Sequence, residues 1–149
     1  MKFTRVIPKA YIKLRILTTL IDYTIFGTFY FTYLYVFNES AQPGHMEVNG
    51  IMTWPIPIVW ILYFVLLESI NGTPGHDLCK LKVVKTDGSK VSFTDALKRR
   101  ICDPIDIFIY GIPALILVSK TEKHQRLGDL LANTVVVKAS DIVITEATF

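Results

Sequence analysis

Charge is scarce in this chain. Only 19% of its 149 residues are Asp, Glu, Lys or Arg, and the mean hydropathy is +0.40, which takes it out of the soluble class. There are two cysteines, Cys79 and Cys102, with no CxxC pair and no His/Cys ligand spacing, so neither a disulfide framework nor a metal site is expected. His45, His76 and His124 are scattered, and the weak pairing of His124 with Asp129 is the nearest thing to ligand spacing. GxSxG, P-loop, HExxH and GxGxxG motifs are all missing, so nothing argues for an enzyme, and no cofactor or metal is expected. No small-x-small cleavage site follows the first apolar run, which is also too long for a leader peptide.

Long apolar runs are what the chain has instead. Leu14 to Phe37 would reach about 36 Å as a helix, enough to cross a bilayer with some tilt. Seven Phe and Tyr residues fall from Tyr23 to Tyr35. A second run covers about Trp54–Ile70, with Pro55 and Pro57 in its first turn, where a missing N–H costs least. Asn71-Gly72-Thr73-Pro74-Gly75 then ends that helix. A third run, 104–119, reaches only about 24 Å, and Gly111 and Pro113 interrupt it. Basic residues flank it on both sides, which favours a re-entrant or strongly kinked segment; the rival is a short third span.

The few charges are unevenly placed. Residues 1–15 hold Lys2, Arg5, Lys9, Lys13 and Arg15, and residues 71–103 are also basic. Residues 38–53 carry no Lys or Arg, only Glu39 and Glu47. The positive-inside rule makes the amino terminus cytoplasmic and the 38–53 loop external. A basic patch beside membrane spans does not argue for nucleic acid.

Between the second and third runs, residues 81–93 flank Asp87-Gly88 with β-rich sequence, which predicts a cytoplasmic β-hairpin. Ser92 and Asp95 then open a short amphipathic helix, with Ala96, Leu97 and Ile101 set against Lys98, Arg99 and Arg100. Such a helix suits the inner membrane surface and offers its basic side to anionic headgroups. Further on, Asn133 accepts a left-handed cap, and Thr134–Lys138 reads as a strand for the edge of the hairpin. Residues 139–149 read as a frayed or extended tail.

Acidic side chains in oil are the candidates for chemistry. Arg15 and Asp22 are seven residues apart, so they share a helix face about 10 Å apart, too far for a direct salt bridge. A buried carboxylate is costly unless it faces a bundle interior or cavity. Asp22 therefore makes either a structural hydrogen bond, to Thr18, Thr19 or another segment, or part of an ion or proton pathway, or a subunit contact. Glu68 lies near the inner boundary and is expected to pair with Arg15. Asp106 either stabilises a helix start or helps form a cation pocket. Arg100 is a further polar candidate.

An arginine opening the first span and an aspartate within it, followed by TPGHDLCKLKVVKTDG and RLGDLLANTVVV, resembles the RDD family of small bacterial membrane proteins. Arg15 and Asp22 match the first pair of the family's namesake residues, and Asp129 is the best match for the second aspartate. The likeness spans about residues 10–138. The chain departs from the family's pattern at His76, Lys80, Gly128 and Asn133, where lysine, glycine, histidine and glycine are usual. The resemblance implies a bacterial inner-membrane location and, for some members, sodium/proton exchange.

The resulting expectation is a mainly α membrane protein with two transmembrane helices, a short re-entrant or third membrane helix, a cytoplasmic β-hairpin and an amphipathic helix. It forms one domain over 1–138. The favoured role is ion or small-solute transport, involving a monovalent cation, in a homo-oligomer or with other membrane subunits in the lipid bilayer. The alternative is a non-transporting assembly or scaffold subunit.

Overall fold

The computed structural model describes residues 2–108 and 111–146. Ile109 and Tyr110 of the third apolar run, and the last three residues of the tail, lie outside them.

Helix α1 (Ile12–Val36) covers the first apolar run. Its threonines return their hydroxyls to carbonyls one turn back: Thr18 to Leu14 at 2.8 Å, Thr19 to Arg15 at 2.9 Å and Thr28 to Thr24 at 2.8 Å. These bonds satisfy the three hydroxyls in an apolar setting. Thr18 and Asp22 are buried on one face of the helix, in the direction the seven-residue spacing sets for Arg15 and Asp22.

The second run begins with a 3₁₀ turn (Gly50–Thr53) and continues through α2 (Pro55–Trp60), a π-helical section (Ile61–Leu66) and α3 (Leu67–Ile70). The stretch Gly50–Ile70 is long and apolar enough to cross a membrane, and only 11% of its apolar window is buried within the chain. The π section widens one turn, which brings consecutive residues onto the inner face. Phe64 and Val65 are both 0% exposed, and Glu68 follows on the same side. The Phe64 ring meets Tyr23 at 5.0 Å, Phe26 at 5.6 Å, Tyr63 at 4.9 Å and Trp60 at 5.9 Å. These contacts join the run to α1.

The segment Asn71 to Gly75 does more than stop a helix. Gly72 turns with φ +125°, and Thr73 then caps a new short helix, α4 (Pro74–Leu78). Strand β2 (Leu81–Lys85) follows. The expected hairpin is not a two-stranded one: its second arm reduces to a single bridge, Val84 to Lys90. The turn at Asp87-Gly88 does form, with the Asp87 carboxylate accepting from the Ser89 amide at 2.8 Å. The lasting partner of β2 is β3 (Thr134–Lys138), antiparallel from Leu81 opposite Lys138 to Lys85 opposite Thr134. Val135, Val136 and Val137 are buried in succession, so both faces of β3 are covered and its hydrogen bonds are protected better than a second arm of Ser and Lys would allow. Asn133 precedes β3 at φ +52°, in the left-handed conformation expected of it.

Helix α5 (Phe93–Ile101) carries a complete capping box between Ser92 and Asp95. Its faces differ from those the sequence suggests. Arg99 and Arg100 are buried, whereas Ile101 is 62% exposed. Val65, Val91 and Ala96 form a small core, joined by Trp60, Val83 and Leu97, and it seats α5 on the inner end of the second run.

The third run breaks as its Gly and Pro indicate, into α6 (Asp103–Phe108) and α7 (Ile112–Lys120), with Gly111 at φ +76°. Helix α8 (Leu127–Leu131) then leads into β3. The tail is not wholly frayed: β4 (Ile142–Glu146) pairs antiparallel with β1 (Lys2–Val6), from Val6 opposite Ile142 to Lys2 opposite Glu146. Residues 142–145 are β-branched throughout, and their partner lies at the other end of the chain.

Candidate functional site

Asp22 lies 2% exposed on α1 and is met by the loop between α3 and α4. One carboxylate oxygen accepts from the Gly75 amide at 2.8 Å and the Tyr63 hydroxyl at 3.1 Å. The other accepts from the Thr73 hydroxyl at 2.5 Å. Thr73 Oγ1 also lies 2.7 Å from His76 Nδ1. The single hydroxyl proton goes to the carboxylate, so the imidazole must donate from Nδ1. The result is a directed chain, His76 to Thr73 to Asp22. Burial lowers the His76 pKa and outweighs the opposing pull of Asp22, so the ring is neutral. Gly75 is required here: a Cβ would stand 2.6 Å from the Thr18 carbonyl and 2.8 Å from the Asp22 carboxylate. The partner that sequence reasoning anticipated on another segment is therefore a backbone amide, joined by Thr73 and Tyr63.

A second arrangement lies beside the first. Glu68 on α3 accepts from Nη1 of Arg99 and Nη2 of Arg100, both on α5. Arg99 Nε reaches Asp129 at 2.8 Å, and Arg126 Nε stands 3.7 Å from the same carboxylate. Arg126 Nη1 meets Asp103 at 2.8 Å, and Asp103 returns to Arg100 Nη1 at 3.1 Å. Three acids and three arginines thus alternate around a closed ring: Glu68, Arg99, Asp129, Arg126, Asp103 and Arg100. Arg15 attaches to Asp129 at 3.2 Å, with a further bond to the His124 carbonyl at 2.8 Å. Asp106 attaches through Arg126 Nε at 3.9 Å and the Gly128 amide at 3.4 Å. With both appendages the cluster has four carboxyls and four guanidiniums, so it is formally neutral. Charges this deeply buried persist only when paired in this way.

The electrostatics follow from alternation. Burial pushes the Asp129 carboxyl up, but Arg99, Arg126 and Arg15 outweigh it and hold the group well below the usual carboxylate range. Asp103 is likewise lowered, against burial, by Arg126 and Arg100. Arg126 is raised, against burial, by Asp103 and Asp129. Asp103, Arg126 and Asp129 are therefore ionised near neutral pH.

Two structural devices bring the ring together. The Arg126 backbone donates to Asp129 at 3.2 Å, which folds the start of α8 onto its own acid. Gly128 lets α8 approach α5: a Cβ there would stand 2.4 Å from the Arg99 carbonyl oxygen.

The expected sites are therefore regrouped. Arg15 and Asp129, 114 residues apart in sequence, form a direct pair. Glu68 does not pair with Arg15, because α5 lies across it and supplies two arginines. Asp22 belongs to a separate network with His76. Arg100 lies in the ring, and Asp106 is 1% exposed at its edge. With Arg99 and Arg100 turned inward, a headgroup-binding basic face on α5 is left with exposed Lys98. Arg99, Asp103 and Arg126 escaped selection as site residues. The signal available was the spacing of Arg100 with Asp103 and of Arg126 with Asp129, each three apart in a chain with few charges to spare.

A cavity of about 280 Å³ adjoins both networks, between α1 and α7. Arg15, Asp22, His76, Asp106 and Arg126 are among its polar lining, and Ile16, Leu20, Leu115 and Val118 among its apolar lining. Among the described residues no group of three or more His, Cys, Asp or Glu could hold a metal ion.

The model of the RDD family matches residues 10–133, from just before α1 to the cap of β3, and so includes Arg15, Asp22 and Asp129. Neither the curated proteins nor the solved structures gave a match.

Proposed function

This chain belongs to the RDD family, and from that premise we propose a multi-pass protein of the bacterial inner membrane, amino terminus cytoplasmic, that serves as a non-transporting assembly subunit. The carrying observation is the state of Asp22. Its oxygens take three protein donors within a buried contact, so most of its acceptor capacity is met by the chain itself. The ring with its two appendages supports the same reading, since together they are formally neutral and bridge α1, α3, α5, α6 and α8. In this role the buried charges set helix register and tie the membrane helices to the cytoplasmic β2–β3 sheet. Buried polar groups are known to confer such specificity in some systems. α1 and the second run are the spans, and α6–α7 dips into the inner leaflet with both ends cytoplasmic. Strongly exposed apolar side chains, such as Phe31 at 61%, Tyr35 at 78% and Ile51 at 78%, face lipid, further copies of the chain or other membrane subunits. The reading assigns no enzymatic activity, cofactor or nucleic acid.

A second reading, sodium/proton exchange or movement of another small solute, draws on the His76–Thr73–Asp22 chain, whose ends line the cavity. A proton could pass along it. The arginines in the same wall oppose a cation there. Flux of sodium and protons in liposomes, with wild type and Asp22→Asn side by side, separates the two readings. The assembly reading expects both to match empty liposomes; flux that depends on Asp22 overturns it.

A further inference from the structure

The cavity between α1 and α7 has a wall of mixed chemistry. Four arginines, Arg15, Arg99, Arg100 and Arg126, line it against two carboxylates, Asp22 and Asp106. The acids that neutralise the ring, Glu68, Asp103 and Asp129, are not part of that lining, so guanidiniums outnumber carboxylates on the face turned to the cavity. Its donors are not all used. The Nε groups of Arg15 and Arg100 are buried with no hydrogen-bond partner among the described residues. Arg126 is held by ion pairs at 2.8, 3.7 and 3.9 Å. Side-chain exposures of 12% for Arg15 and 17% for Arg126 leave both open to a small ligand. The remaining wall is apolar, and Ile16 and Leu20 continue it onto the outer surface of α1, where they are 42% and 60% exposed. A volume of about 280 Å³ is near the lower end of small-ligand sites.

We propose that this cavity binds the phosphate headgroup of an anionic phospholipid, with the acyl chains running out over Ile16 and Leu20 along the seam between α1 and α7. A phosphodiester carries one negative charge and oxygens that accept from guanidinium forks. The wall supplies guanidinium donors, and the apolar exit suits a molecule that is anionic at one end only; phosphatidylcholine has the same phosphodiester, but its choline cation would be set against those guanidiniums. A free anion would find the same guanidiniums but gain nothing from the apolar seam. The inference rests on the membrane placement proposed above and is independent of whether the chain transports anything.

The test uses the full chain in a neutral detergent. Its thermal unfolding is followed with added phosphatidylglycerol, with phosphatidylcholine of the same acyl chains, and with inorganic phosphate. Phosphatidylglycerol at roughly ten times its dissociation constant is expected to raise Tm by about 5 °C, and the other two to leave it unchanged. Thr19→Phe and Ala114→Phe, which fill the cavity from opposite walls, are expected to abolish the shift, and Lys98→Gln on the exposed side of α5 to keep it. Equal responses to the two lipids overturn headgroup recognition. A phosphate response as large as that of the lipid makes the site one for a free anion. A shift that survives both Phe variants places the lipid elsewhere. Should both variants fail to fold, a photoactivatable phosphatidylglycerol on the wild-type chain decides: crosslinks at residues 16–20 and 114–118 support the proposal, and crosslinks confined to 93–101 overturn it. Alkylation of single cysteines introduced at positions 42 and 122, in intact cells, tests the membrane placement separately. An external 42 and an internal 122 without a lipid response sink only the lipid site.

Discussion

Asp129→Asn is the sharpest perturbation of the ring, since it keeps the shape of the side chain and removes one charge. The carboxylate is fully buried and accepts from Arg99 Nε at 2.8 Å and Arg15 Nη1 at 3.2 Å, with Arg126 Nε at 3.7 Å. Two charge-assisted bonds are weakened at about 1.5–3 kcal/mol each. The amide NH₂ would also point at one of three arginines. Removing one partner of a buried pair costs about 3–5 kcal/mol, because the other charge stays behind. The expected loss is therefore about 4 kcal/mol, a large share of the roughly 5–15 kcal/mol that holds a domain together. Unfolding of the detergent-solubilised protein in SDS, followed by the fluorescence of Trp54 and Trp60, measures it. Lys98→Gln, which removes an exposed charge from α5, should stay within about 0.5 kcal/mol of wild type. Pairing Asp129→Asn with Arg15→Gln in a double-mutant cycle should give a coupling of about 1–3 kcal/mol. If Asp129→Asn lies within about 1 kcal/mol of wild type, or the cycle is additive, the ring does not hold the helices together.

Gly128→Ala should destabilise by about 2 kcal/mol in the same assay, although alanine is the better helix former, because its Cβ meets a backbone carbonyl that cannot turn aside. An unchanged or raised stability would show that α8 and α5 can part freely. Stability should also depend on pH through His76. Burial lowers its pKa in the folded chain, so below about pH 6.5 the unfolded chain binds more protons. Its contribution is complete above about pH 6.5 and falls on acidification, at most about 1.4 kcal/mol per pH unit. Tm measured between pH 7.5 and 5.5 should drop in wild type and drop less in His76→Asn; parallel profiles would mean the ring is not buried neutral. Glu68→Gln leaves Arg99 and Arg100 short of one negative charge and should cost about 3–5 kcal/mol, read by the same SDS unfolding. A cost no larger than that of Lys98→Gln would remove Glu68 from the ring.

Much of the local structure could be read from the residues in order. The helix over the first apolar run, the Pro-led start of the second run, the Ser92 cap, the break at Gly111 and the left-handed Asn133 each follow from a short stretch of sequence, because each reflects a backbone preference or an apolar run acting over a few residues. The pairing of β2 with β3 was also legible, since Thr134–Lys138 is a β-rich run suited to the edge of the 81–93 segment. What misled was the orientation of α5. Three consecutive basic residues on a short helix read as a wet face, and local pattern does not say that acids on α3, α6 and α8 wait on the other side.

The order of the amino acids alone determined that this chain has an apolar run of membrane-crossing length, where several of its helices start and stop, and that Asp22 is a carboxylate set within an apolar run. Only the tertiary structure decided which charge answers which: Arg15 with Asp129, Glu68 with Arg99 and Arg100, and Asp22 with an amide and two hydroxyls. The reason is physical. Backbone preference acts between neighbours, whereas the partner of a buried charge is chosen by whichever segments pack closely enough to exclude water, and here Gly75 and Gly128 set how closely they can.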